Sequence, residues 1–175
     1  MRKIYITFFL TLILTLSGTS AFSQNLGLGV GFSSEKAALL EFSFKNKLQI
    51  YSLGFSYQFT DTRGKLVSEQ KSNYGRTKDG TGTFFWTIDA GAGYYLTQKF
   101  SLKAEISVGA TNDYTNYIDH RFNGDGYHII DKSKIIAGIG GLAGYDLSQS
   151  VTAFAGYNSI RNITFGIQFN FSSTN

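Results

Sequence analysis

Apolar and polar residues alternate along most of this 175-residue chain, and the alternation has a period of two. At the C-terminal end Ile163, Phe165, Ile167, Phe169 and Phe171 fall on one face of an extended strand, while Thr164, Gly166, Gln168 and Asn170 fall on the other. One face is oily and the other small and polar. The pattern recurs upstream. Leu26, Leu28, Val30 and Phe32 alternate with Gly27, Gly29 and Gly31; Leu40, Phe42 and Phe44 oppose Glu41, Ser43 and Lys45. The clearest run spans 48–59, where Tyr51, Leu53, Phe55, Tyr57 and Phe59 oppose Ser52, Gly54, Ser56 and Gln58. Further strands are predicted at Phe84 to Tyr94, Phe100 to Val108, Lys134 to Tyr145 and Val151 to Tyr157, which with Thr164 to Phe171 makes eight.

The connections alternate in kind. Asn46-Lys47 reads as a two-residue hairpin, Thr97 to Lys99 as a short link and Asp146 to Ser150 as a turn, all on one side. The polar segments Thr60 to Gly82 and Thr111 to Ser133 fall on the other side and read as long solvated loops. An even strand count with this asymmetry predicts an all-β fold: an eight-stranded antiparallel up-and-down transmembrane β-barrel with short periplasmic turns and two long extracellular loops.

A soluble eight-stranded barrel shares the dyad pattern, but it needs a charged exterior. Here strand charges are few, and the face opposite the apolar one is mostly Gly and Ser, which suits the cramped interior of an eight-strand barrel. Aromatics gather at both strand ends. Tyr51, Tyr94, Phe100, Tyr145 and Phe171 lie toward the turns, and Tyr57, Phe59, Phe84, Trp86 and Tyr157 toward the loops, as membrane-interface belts would.

Composition agrees. Charged residues make up 16% of the chain, and 20 glycines with no proline suit an uninterrupted sheet. The absence of cysteine excludes disulfides, thiolate metal sites, a cysteine nucleophile and a lipidated cysteine. Arg2 and Lys3, the apolar run Ile4 to Leu16 and the small residues Ala21 and Ser23 predict a secretory signal peptide over 1–23, cleaved before Gln24, with the barrel domain at 24–175. The apolar run is short of the roughly 20 residues a membrane-spanning helix needs. Cleavage removes two cations and lowers the formal charge from +4 to +2, too little to imply nucleic-acid binding. With no later apolar stretch of helix-spanning length, a membrane crossing must be made by strands closed into a barrel.

Candidate chemistry is sparse. Glu41, Lys45, Asp89, Lys103 and Glu105 are expected to point into the lumen as a carboxylate–lysine network that plugs it, since buried charges persist only when paired. Arg63, Lys65, Lys71, Tyr74, Arg76 and Lys78 in the first long segment form a possible surface-contact loop, able to meet anionic lipopolysaccharide or another partner. Asp119, His120, Asp125, His128 and Asp131 share the second segment without a recognised ligand spacing, so no metal and no cofactor is expected. Gly27, Gly29 and Gly31 precede no helix and form no phosphate cradle.

Thr164-x-Gly166-x-x-Phe169-x-Phe171 resembles the β-signal of bacterial outer-membrane proteins, the final-strand motif read by barrel-assembly machinery. With the export segment and eight strands, the chain resembles the OmpA/OmpX-like superfamily of small outer-membrane barrels, in the form common in Bacteroidota. The Ser172-Ser173-Thr174-Asn175 tail departs from the motif, which commonly ends on the aromatic. The resemblance implies placement in the outer membrane and a non-enzymatic role in adhesion, surface interaction or envelope integrity, with a lipid-modifying enzyme or narrow channel as alternatives. Outer-membrane lipid A deacylases carry a His-x-Ser pair; this chain has His120-Arg121-Phe122 and His128-Ile129-Ile130 instead, and no catalytic residue is assigned.

Overall fold

Residues 25–171 are described by a computed structural model; the predicted signal peptide, its cleavage point and the 172–175 tail lie outside the described residues. Nine strands follow in order: β1 (Asn25–Ser33), β2 (Ala37–Asn46), β3 (Gln49–Gln58), β4 (Lys65–Leu66), β5 (Thr77–Tyr95), β6 (Phe100–Ile118), β7 (Gly126–Asp146), β8 (Val151–Asn158) and β9 (Asn162–Phe171). All but β4 join one antiparallel ring, in which each strand pairs with the next and β9 closes on β1. Leu26 to Ser33 face Phe171 to Thr164 across that seam, so the alternation read in the first and last strands is continuous round the molecule. Following the register once round from Ala143 returns to β7 at Ile135, a stagger of eight residues for eight strands. Such a stagger tilts the strands and leaves an interior that side chains alone fill.

The ring is turned inside out relative to a soluble domain. Ile106, Ile139 and Ile163 are 61%, 72% and 61% exposed on its outer face, together with Phe42, Phe55, Phe165 and Phe169, while the inner face buries Glu41, Ser43, Ser56, Asp89 and Glu105. An apolar band on this scale is a lipid-facing one, and the ring is a transmembrane β-barrel. Tyr51, Tyr94, Tyr145 and Phe171 are exposed toward the turn end and Tyr57, Phe59 and Tyr157 toward the loop end. Among the described residues no helix is long and apolar enough to cross a membrane.

Three sequence expectations need correction. The segment 111–133 is not a solvated loop: β6 runs on to Ile118 and β7 begins at Gly126, so only 119–125 connects them. Residues 77–82 of the first segment likewise belong to β5, and Lys65–Leu66 form β4, parallel to β7 at Tyr127 and His128. Here cross-strand pairing overrides polarity, because strand period and hydrophobic period part company above a membrane. The β2–β3 hairpin also sits one residue late, at Lys47–Leu48, with Asn46 paired to Gln49 and Lys47 in the left-handed region at φ 53.

Above the ring β5, β6 and β7 therefore continue as a three-stranded sheet. β3 leaves β5 at Trp86, and β8 meets β7 only from Gly140, so both sides of this sheet are open edges over much of their length. Each edge strand carries a bulge: Asp79 and Gly80 oppose one residue of β6, and Asp131 is an extra residue of β7 between Ile130 and Lys132.

Candidate functional site: a plugged lumen beneath a folded crown

The inward acids Glu41 and Glu105 stand where their cross-strand neighbours are glycines. Glu41 is flanked across the sheet by Gly29 and Gly54, and Glu105 by Gly91 and Gly140. A Cβ at Gly54 would meet the Leu40 carbonyl oxygen at 3.2 Å and the Asp89 Cβ at 3.5 Å. These glycines make room for acids.

The upper lumen is organised by Arg161, in the short connection between β8 and β9, a residue the alternation pattern does not single out. It is fully buried. Its Nη1 donates to Asp89 Oδ2 at 2.5 Å and Ser56 Oγ at 2.8 Å, and its Nη2 donates to Glu105 Oε1. Thr87 donates to Asp89 Oδ1 at 2.9 Å, and Asn158 Nδ2 donates to Glu105 Oε1 at 2.7 Å and Ser107 Oγ at 2.9 Å. The three-residue turn Ser159–Arg161 explains the placement: Asn158 pairs with Asn162, whose φ of 60 breaks the strand alternation and tucks Arg161 inward. Its planar guanidinium sends one nitrogen to each of two carboxylates, where a lysine would offer a single point charge.

Below this layer Leu39, Leu142 and Phe154 form a small apolar cluster inside the barrel. Lys103 pairs with Glu41, beside a cavity of about 30 Å³ that also touches Lys45 and Gln168. Nearest the turns, Lys45 Nζ donates to Tyr95 OH at 2.5 Å and lies 3.8 Å from Asp146, whose Oδ1 accepts from Thr152 at 2.5 Å and Tyr95 at 3.2 Å. All five predicted lumen charges are thus inside the barrel, but in three separate groups. Two of the three use partners outside the predicted set, Arg161 and Asp146.

At the loop end the first long segment wraps the β6–β7 tip. Arg63 N donates to Asn116 Oδ1 at 2.9 Å, Asn116 Nδ2 donates to the Asp61 carbonyl at 3.0 Å, and the Arg63 side chain pairs with Asp79. After β4 the chain crosses to Tyr127, whose ring is fully buried against Tyr74, Tyr117 and Phe122. Tyr127 OH donates to the Gly75 carbonyl at 2.6 Å. Asp119 completes a latch: it accepts from Gly75 N at 2.8 Å and from Arg121 Nε at 2.9 Å, while Arg121 also donates to the Asn73 carbonyl. The Arg121 hydrogen bonds, joined by that of Gly75, hold the Asp119 carboxyl well below its ordinary value of 3.8, and the same contact raises Arg121.

The loop is therefore a folded crown, and the predicted surface-contact residues divide. Arg63 and Tyr74 are built into it, whereas Lys65, Lys71, Arg76 and Lys78 are exposed. The His and Asp residues of the second segment disperse. His120 faces Asp125 at 3.4 Å on the exposed turn, His128 Nδ1 lies 2.8 Å from the Arg63 carbonyl, and Asp131 accepts from Thr115 at 2.6 Å. Among the described residues no group of three such side chains is placed to hold a metal ion. In the final strand Thr164 is buried and Phe169 and Phe171 face outward, with Gly166 stacked behind Phe154.

No protein-family model and no curated protein sequence matches the chain. Solved structures do. Ail, the attachment invasion locus protein of Yersinia pestis, superposes with a TM-score of 0.53 at 10% identity, covering 86% of this chain and 100% of Ail. Ail in complex with the heparin analogue sucrose octasulfate gives the same TM-score at 13% identity and the same coverage. Neisserial surface protein A matches at 15% identity over 85% of this chain and 94% of its own, with a TM-score of 0.41. At this identity what Ail shares with this chain is the barrel fold.

Proposed function

We propose that this is a non-enzymatic outer-membrane protein whose barrel anchors the crown at the cell surface, where the crown makes adhesive or envelope-stabilising contacts. The observation that carries the reading is the division of labour along the barrel axis. A lumen filled by buried ion pairs and an apolar cluster sits beneath a sheet that rises past the ring and is braced by its own aromatic core. In this reading the export segment 1–23 delivers the chain, the Thr164, Gly166, Phe169 and Phe171 motif is read by barrel-assembly machinery, and the turn end is periplasmic. Kinship with the OmpA/OmpX-like barrels of Bacteroidota belongs to the same proposal. The exposed Lys65, Lys71, Arg76 and Lys78 are suited to anionic partners, lipopolysaccharide among them.

Replacing 61–76 and 112–132 with short turns tests the reading. Heat-modifiable gel mobility should persist, because the ring's pairings lie below the cut, while binding of cells to surfaces or envelope components should vanish. Binding that survives removal of the crown would overturn the proposal.

A further inference from the structure

The crown leaves the opposite end of the barrel unexplained. There the lumen opens into a cavity of about 440 Å³ whose wall includes Lys45, Lys47, Tyr95, Gln98, Asp146 and Gln149, with Leu48 at its side. That volume is in the range of small-molecule sites. Its floor is built rather than accidental. The Lys45 side chain is only 9% exposed and is fixed by Tyr95 OH at 2.5 Å, while Asp146 is 3.8 Å away and already accepts from Thr152 and Tyr95. The left-handed turn residue Lys47 places a second ammonium at the mouth. Two cations against one carboxylate leave the wall one negative charge short. Gln98 and Gln149, exposed on the two neighbouring turns, offer both donors and acceptors without charge.

We propose that this turn-end cavity binds a short peptide-like solute through its carboxylate. The carboxylate meets Lys45 and Lys47, the amides of the ligand meet Gln98 and Gln149, and a small apolar side chain lies against Leu48. One acid and two amides without an ammonium, in a cavity this size, fit an N-acylated dipeptide better than a bare ion. The apolar layer of Leu39, Leu142 and Phe154 above Lys45 makes the site a dead end, so the ligand enters and leaves by the turn side.

The test is titration of the detergent-purified full-length protein with N-acetyl-dialanine, read by amide chemical shifts at residues 45–48, 95–98 and 146–149. Saturable shifts are expected at those positions, and they should be absent with the C-terminally amidated dipeptide. Lys45→Met should weaken binding about tenfold or more, as loss of a charge-assisted hydrogen bond does. Lys47→Gln, on an exposed turn, gives a second variant should Lys45→Met fail to fold, and it should weaken binding as well. Equal response to the amidated peptide, no response at all, or full affinity in folded Lys47→Gln would overturn the site. Saturation by inorganic phosphate without saturation by N-acetyl-dialanine would overturn the assigned ligand class.

Discussion

Arg161 holds its charge where no water reaches, and its two acids have no other cation as close. Removing one member of such a buried set strands the others, at a cost of about 3–5 kcal/mol. Arg161→Met should therefore lower the free energy of unfolding by urea from lipid vesicles by that much, with a lower midpoint, and adding Asp89→Asn with Glu105→Gln should restore most of it. An unchanged midpoint in the single variant would show that the triad is not a buried ionic set. Arg161 was missed because alternation gives directions only inside strands, and Asn162 interrupts it. A trace of the answer was still present: Glu41, Asp89 and Glu105 against Lys45 and Lys103 leaves one acid unpaired. The inward acids themselves were legible, because a residue opposite Phe42 or Ile88 on a two-residue period has only one place to go.

At the scale of elements, the final strand shows what the period of two decides. Ile167 is 41% exposed on the lipid face and Gln168 only 6% exposed in the lumen. A charge at Ile167 must enter hydrocarbon, so Ile167→Lys should cost about 2–4 kcal/mol of barrel stability near the midplane and reduce the folded fraction on refolding gels. Gln168→Glu loses a hydrogen bond to Asn170 but shares its small cavity with Lys45 and Lys103, and should be tolerated far better. The period was silent above the membrane, where β6 and β7 carry on with Thr, Asn, Asp and Lys because water lies beyond them. There the latch sets the behaviour. The Asp119 carboxyl is depressed in the folded crown, so its contribution is fully present above the ordinary carboxylate value of 3.8 and is lost only as pH falls through the lower folded value. Protease resistance of 61–76 should persist at pH 4 and fail in stronger acid, whereas Asp119→Asn should weaken it at every pH.

For the whole molecule, the lumen decides what crosses. Arg161 with its acids, the Leu39–Leu142–Phe154 cluster and the Lys103–Glu41 pair lie one above another within a ring too narrow for a second path. Planar-bilayer recordings of the purified protein should show no large, stable conductance. Phe154 and Leu142 share the inward period with Thr152 and Gly144, but side chains as oily as the outer face hide it, so composition alone does not mark them as lumen residues.

The bulges at Asp79–Gly80 and Asp131 bear on life in a crowded leaflet. Crowns of neighbouring copies stand at the same height with unpaired strand edges, and straight edges would zip together into one sheet running from molecule to molecule. A kink in each edge interrupts its row of hydrogen-bonding groups and so works against such edge-to-edge pairing.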